Sequence, residues 1–417
     1  MAHSASTAPR ASRADAAHGR APRDERLFPT FFAAGYECAT ARIRDGRRID
    51  ELSTTGHDAR AVADYRTLRA LGIRTARDGV RWNLVDRGGR LDWSSAMPRV
   101  EAAERERITV IWDLFHYGYP DDLNPFERPF VERFARYCAA FAAMLVRRGH
   151  GGPVSGGPRR RFYTPVNEIS FFSWAGGEVG RFAPFALRRG GELKRRLVEA
   201  AIQGINAIRE VDPAARIANC DPIVRVVAPG DAPWLEEEAA RFNEECVLEA
   251  WDMLAGLRAP ELGGSSAHLD IVGVNYYGVN QWEHGRPERV LGDDDPRRAP
   301  LSALLRHLDA RYEAPLFVSE TASIGADRPR WLRGIGLECL EAIEHGVDLH
   351  GLCLYPVLGM HDWESGEYRA MGLWDVQPDM RRILHRPTAA ALGDLQTWHR
   401  HASERRGRRA PAQAAQR

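Results

Sequence analysis

The chain has 417 residues, 28% of them charged and 44% apolar, and its 58 basic and 57 acidic side chains leave a formal net charge of +1. That length accommodates one large α/β barrel or two ordinary domains, and the apolar share is enough for a sizeable core. No block of basic residues lies outside the termini, which argues against nucleic acid as the main partner, and no apolar run approaches the length of a membrane span.

Residues 1–26 are rich in Ala, Arg, Ser and His, lack a hydrophobic stretch that could serve as a secretion signal, and are expected to be disordered. The tail 403–417, rich in Arg, Ala and Gln, reads the same way. Between them, over 27–402, short apolar runs alternate with amphipathic stretches. The runs are Thr30 to Tyr36, Ile73 to Ala76, Ile108 to Leu114, Phe162 to Val166, Ile217 to Cys220, Leu269 to Val274, Leu316 to Ser319 and Leu349 to Tyr355, which makes eight candidate strands. Helical spacing follows most of them, over His57 to Leu71, Arg128 to Arg148, Glu192 to Val211, Trp234 to Leu254, Arg328 to Glu344 and Thr388 to His399.

Strand and helix repeated eight times predict an α/β fold, a single (β/α)8 TIM barrel between two disordered tails. A doubly wound open sheet would carry a Gly-rich phosphate turn after its first strand. Gly35-Tyr36-Glu37-Cys38-Ala39-Thr40 does not match that pattern. Gly149 to Arg161, with five glycines and two prolines, breaks the alternation and is expected to be a mobile surface loop, and Asp293 to Arg298 is a second polar interruption.

Lys194 is the single lysine. It lies on what reads as a wet helix face, which argues against a Schiff-base aldolase, since that chemistry needs a desolvated amine. The six cysteines, Cys38, Cys138, Cys220, Cys246, Cys339 and Cys353, form no C-x-x-C pair and no short metal-ligand spacing. Several lie in apolar runs and read as small buried hydrophobes of a reducing, cytoplasmic compartment.

Two glutamates end apolar runs: Glu168 closes Arg161-Phe-Tyr-Thr-Pro-Val-Asn-Glu, and Glu320 closes Pro315-Leu-Phe-Val-Ser-Glu. Either one alone reads as a solvated loop residue. In a barrel, however, residues just past the strands gather at one face, and these two follow strands four and seven. Hydrolysis of a glycosidic bond needs two facing carboxyl groups, about 5 to 5.5 Å apart when the anomeric configuration is retained.

With these motifs in place the chain resembles glycoside hydrolase family 1, in the clan of barrel glycosidases with the acid on strand four and the nucleophile on strand seven. The family's N-E-P is matched by Asn167-Glu168-Ile169 and its T-E-N-G by Ser319-Glu320-Thr321-Ala322. H-W-D-L-P is matched by His116-Tyr-Gly-Tyr-Pro120, and G-I-N-Y-Y by Gly273-Val274-Asn275-Tyr276-Tyr277. The closing tryptophan-rich motif is spaced like Tyr355 to Trp363, with Met371-Gly-Leu373 following. The resemblance runs from about Phe28 to Val376.

It implies a retaining β-glucosidase-like hydrolase acting on a small glycoside, with no metal or organic cofactor. Glu168 would be the acid and then the base, and Glu320 the nucleophile. Arg77 would keep the nucleophile ionised and Tyr277 would hydrogen-bond it. Asn167 would hold the sugar 2-hydroxyl, His116 another ring hydroxyl, and Trp363 would form an aromatic wall. Asn275 and Tyr355 complete the implied pocket.

The departures concern recognition. Ile169 replaces the proline after the acid, Thr321 the Asn after the nucleophile, and Tyr117 and Tyr355 two tryptophans. Asp362 stands where the family has a longer Glu, and Glu37 stands where its sugar-binding glutamine would be. Two further readings stay open: a transglycosidase using the same intermediate, and a catalytically idle barrel that binds a sugar. A metal-dependent barrel hydrolase lacks its usual H-x-H after strand one.

Overall fold

The computed structural model describes residues 26–153 and 159–414. Eight parallel strands close into a barrel in strict chain order: β1 (Phe32–Gly35), β2 (Thr75–Gly79), β3 (Thr109–Asp113), β4 (Phe162–Thr164), β5 (Arg216–Pro222), β6 (Ile271–Asn275), β7 (Leu316–Thr321) and β8 (Leu349–Leu354). β8 pairs back on β1, Phe32 opposite Leu352, so no strand edge is left open. Each of the eight expected runs contains or overlaps one of these strands. Most strand residues are buried on both faces, which is why they read as apolar runs rather than as alternating ones.

The period of two appears in which core each residue joins. On β3, Val110 and Trp112 pack outward with the helices, whereas Ile111 points into the barrel with Ala33, Phe162, Ala218, Ile271, Phe317 and Cys353. Phe28, just before β1, closes the N-terminal end of this interior, its ring 5.0 Å from Phe162 and 5.2 Å from Phe317. The opposite end is left for polar chemistry. On β2 the same alternation turns Arg77 toward the barrel axis and Asp78 outward, where Asp78 accepts hydrogen bonds from His57 and Tyr65 and pairs with Arg99.

The main outer helices are α1 (His57–Ala70), α2 (Met97–Glu106), α3 (Arg128–Arg147), α4 (Gly190–Val211), α5 (Glu249–Leu254), α6 (Leu301–Tyr312), α7 (Arg328–Glu344) and α8 (Arg386–Ala414). α2 and α6 were not apparent from spacing. In α2 the buried set includes Arg99 and Glu106, so its core-facing stripe does not look apolar in the sequence.

Two expectations change here. The continuous helix expected over Trp234 to Leu254 is divided: a turn at Pro233–Leu235, a helix at Glu236–Arg241, a wide turn at Phe242–Cys246, and then α5. The wide turn presents Asn243, whose amide both accepts from Val226 N–H and donates to its carbonyl at 2.9 Å, so a side chain takes over an edge pairing. Helical backbone runs on through 403–414 at the end of α8. Residues 1–25 and 415–417 lie outside the described residues. In the Gly149 to Arg161 segment, expected as a mobile loop, Gly152–Pro153 pairs antiparallel with Arg159–Arg160, and 154–158 lie outside the described residues. The second concerns Lys194, which is not on a wet face. Its side chain is 13% exposed and its amine bonds Glu249 at 2.7 Å.

Among the described residues, no helix is long and apolar enough to cross a membrane.

Candidate active site

The ends of seven barrel strands bring the expected polar residues to one face. Arg77 on β2 is completely buried and is the hub. Its guanidinium donates to Glu320 Oε1 at 2.9 Å, to the Ser319 carbonyl at 3.0 Å, to both oxygens of Asp113 at 3.0 and 2.8 Å, and to Asn167 Oδ1 at 3.0 Å. A buried arginine needs such a set, because a guanidinium left without anions in the interior would be strongly destabilising.

Glu320 lies within β7 and is 4% exposed. Its second oxygen accepts from the Tyr277 hydroxyl at 2.8 Å. Burial lifts its pKa to about 7, against the pull of Arg77 and with a further push from the charge of Glu168. The two carboxyl groups are therefore close enough to affect each other's ionisation.

Glu168 follows β4 and starts the short helix Ile169–Phe172, with its backbone in the left-handed region (φ 50°). Its Oε1 accepts from Asn275 Nδ2 at 2.8 Å and its Oε2 from the Tyr117 hydroxyl. Burial raises its pKa, and these two hydrogen bonds oppose the rise. Asn275, expected in the pocket, holds the carboxylate, and Ser319 donates to its Oδ1 at 2.6 Å.

Asn167 Oδ1 faces Arg77, so its Nδ2 is directed at His116 Nε2, 3.1 Å away, and toward the Tyr117 hydroxyl at 3.4 Å. Burial works against charging His116, but Cys38, Glu37 and Asp113 outweigh it and raise its pKa. Glu37 is 8% exposed, and its Oε1 accepts from the backbone N–H of Cys38 and of Ala39, both at 2.9 Å. Burial raises the pKa of Glu37 as well. Tyr355, immediately after β8, lies flat against Gly35, where a Cβ would come within 1.9 Å of its ring. The Tyr355 hydroxyl reaches Glu37 at 3.3 Å.

Trp363 packs edge-on to Tyr117 and against Phe182, and its buried indole N–H has no partner among the described residues. Asp362 does not join the group. Its carboxylate caps its own turn by accepting from the N–H of Ser365 at 2.9 Å and of Glu364 at 3.2 Å.

Tyr117, Asp113 and Cys38 were not among the expected site residues. Tyr117 was legible as a departure from a tryptophan, but nothing in the sequence indicated that its hydroxyl would find Glu168. Asp113 ends the apolar run of β3, and a carboxylate there needs a buried cation, a weak signal that was present in the sequence.

No protein-family model matches the chain, and no curated protein matches it in sequence. Solved structures match it in fold. A family 1 β-glucosidase from Thermotoga maritima superposes with a TM-score of 0.70 at 15% identity, covering 87% of this chain and 96% of that one. The Thermotoga maritima β-glucosidase in complex with glucoimidazole gives 0.70 at 15% identity, with 88% and 98% covered. The complex with deoxynojirimycin gives 0.69 at 16%, again with 88% and 98% covered. At these identities the shared property is the fold.

Proposed function

We propose that this chain, a barrel with the fold of family 1 β-glucosidases, is a retaining β-glycosidase that cleaves a small glycoside by double displacement. The observation that carries the reading is the unlike treatment of two strand-end carboxyl groups. Glu320 is held by a cation and a phenol, Arg77 and Tyr277, whereas Glu168 is held by the neutral donors Tyr117 and Asn275. A cation favours the ionised form needed for attack, and burial without a cation favours the protonated form needed to donate.

In the first step a Glu320 oxygen bonds the anomeric carbon while the bond to the leaving oxygen breaks, and that oxygen takes the proton of Glu168. In the second, Glu168 takes a proton from water as the water oxygen attacks the same carbon and Glu320 departs. Asn167, its amide turned by Arg77, offers N–H to the sugar 2-hydroxyl. His116 and Glu37 face other ring hydroxyls, and Trp363 gives the apolar face of the sugar a wall. No step uses a metal or an organic cofactor.

The test is intact-protein mass after incubation with activated 2-deoxy-2-fluoro β-glycosides, wild type beside Glu320→Gln. An adduct on wild type alone, mapped to Glu320, is expected. An adduct on any other residue would overturn the assignment, and turnover without an adduct would argue for inversion. An acceptor sugar added to the same incubation separates transfer from hydrolysis.

A further inference from the structure

Asp221, near the end of β5, is 2% exposed and takes no part in the steps above. Its strand neighbours Ala218 and Cys220 point into the barrel, so the two-residue period turns Asp221 outward, away from any bound sugar. There its carboxylate accepts twice from Ser170, whose backbone N–H lies 3.0 Å from Oδ1 and whose hydroxyl lies 2.5 Å from Oδ2. One position earlier on the same strand, the Cys220 carbonyl accepts from the Glu168 N–H at 2.8 Å. Two successive residues of β5 therefore hold the segment that carries the acid.

The first N–H groups of a helix have no partner within it, and the residue at the cap position usually offers one of them an oxygen of its own side chain. For the helix Ile169–Phe172 the cap position is Glu168, whose side chain makes no such bond. Both of its oxygens are engaged by Asn275 and Tyr117 instead. Ser170 is the second residue of that helix, and Asp221 supplies to its N–H the oxygen that Glu168 withholds. A carboxylate from the neighbouring strand thus releases the carboxyl group of the cap residue for another use. It also helps to hold the left-handed backbone of Glu168, which its surroundings must impose.

We propose that Asp221 is a positioning residue for the proton donor, capping the helix in place of Glu168 so that the Glu168 carboxyl group stays directed at the glycosidic oxygen. Its charge works to the same end. Burial foremost raises the pKa of Glu168 and the charge of Asp221 adds to the rise, while Tyr117, Asn275 and the charge of His116 oppose it. Asp221 itself is lifted by burial to about 6, against its bonds to Ser170 and the charge of Lys194 on α4, whose amine is paired with Glu249. It is therefore mostly ionised at pH 7. The inference rests on the reading of Glu168 as the acid, and its first test needs no turnover.

That test is an NMR titration of the full chain labelled with 13C at the glutamate carboxyl carbons, the Glu168 signal being identified by its loss in Glu168→Gln. Asp221→Asn keeps an oxygen for the Ser170 N–H but removes the charge, so the Glu168 midpoint is expected to move to lower pH. An unmoved or raised midpoint overturns the proposal, whether or not any glycoside is cleaved. Turnover gives the second readout. Asp221→Ala removes the cap as well, and kcat/KM on an alkyl glycoside is expected to fall more than about ten-fold, with a much smaller loss on an activated aryl glycoside. Asp221→Asn restores most of the alkyl rate. Equal losses on the two substrates overturn the proposal, as does an Asn variant as impaired as the Ala variant. Should Asp221→Ala not fold, the titration of Asp221→Asn decides alone. A wild type that cleaves no glycoside counts against the glycosidase reading, and the titration still judges Asp221.

Discussion

Tyr117 and Glu168 both occupy the left-handed backbone region, with φ of 67° and 50°, and the phenol of the first donates to the carboxylate of the second. Neither residue is a glycine, so each conformation is held against a local cost by its surroundings. Tyr117 is enclosed by Phe171, Phe172, Phe182 and Trp363, an aromatic box that leaves its hydroxyl to point at the acid.

The hydrogen bond from Tyr117 lowers the pKa of Glu168 against the effect of burial. Tyr117→Phe removes it, so the protonated acid persists to higher pH. The alkaline limb of kcat/KM is expected to move upward. A pH–rate profile on an unactivated glycoside reads this, and an unmoved alkaline limb would count against Glu168 as the acid.

The acidic limb belongs to Glu320, which must be ionised to attack. Burial raises its pKa to about 7, so kcat/KM is expected to climb as pH rises through that value. Arg77→Met takes away the cation that favours the ionised form and displaces the limb further upward. It also leaves Asp113 and Glu320 buried without their partner, at a cost of about 3–5 kcal/mol in urea unfolding. A limb that moved downward would contradict the assignment.

Glu320→Gln is expected to reduce kcat on the order of 10^4-fold or more on every glycoside, because the bond-forming oxygen is gone. Glu168→Ala should depend on the leaving group. An activated aryl glycoside needs little proton donation and retains much of its first-step rate, whereas an alkyl glycoside does not. Equal losses on both substrates would refute Glu168 as the proton donor.

Glu51 gives a prediction for stability. Its side chain is buried and accepts from Thr54 Oγ1 at 2.6 Å. Burial foremost, and then the charges of Glu37, Asp50 and Asp362, lift its pKa to about 8. The folded state therefore keeps a proton that the unfolded state releases near pH 4.5. Stability is lost as pH rises from about 4.5 to about 8 and is level beyond, a loss on the order of a few kcal/mol. Glu51→Gln should match wild type near pH 4 and exceed it above pH 8 in thermal or denaturant unfolding. A variant less stable than wild type at pH 8.5 would contradict the account.

The eight strands were legible because a barrel strand is buried on both faces and so reads as an apolar run wherever it occurs. The positions of Glu168 and Glu320 followed, since both end such runs. Helices were less evenly legible. α3 and α4 have apolar buried faces and stood out, as did α1 although it buries His57 and Asp64, whereas α2, which buries Arg99 and Glu106, did not. The break in the segment expected over Trp234 to Leu254 depends on Asn243 finding the backbone of Val226, a contact between residues seventeen positions apart.

By itself the sequence determined where the strands lie, that they close in chain order, and which polar residues stand at their ends. These are local properties, set by side-chain burial and the two-residue period of a strand. Which of those residues touch was decided only by the tertiary structure. A register shift between Val274 and Asn275 places Asn275 opposite Glu320, while its amide crosses to Glu168. The left-handed turn at Tyr117 delivers a hydroxyl to the acid, and the turn after His361 closes on Asp362 and keeps it from the pocket. Such pairings depend on barrel register and loop backbone angles, which arise when distant segments pack and leave no trace in the spacing of residues along the chain.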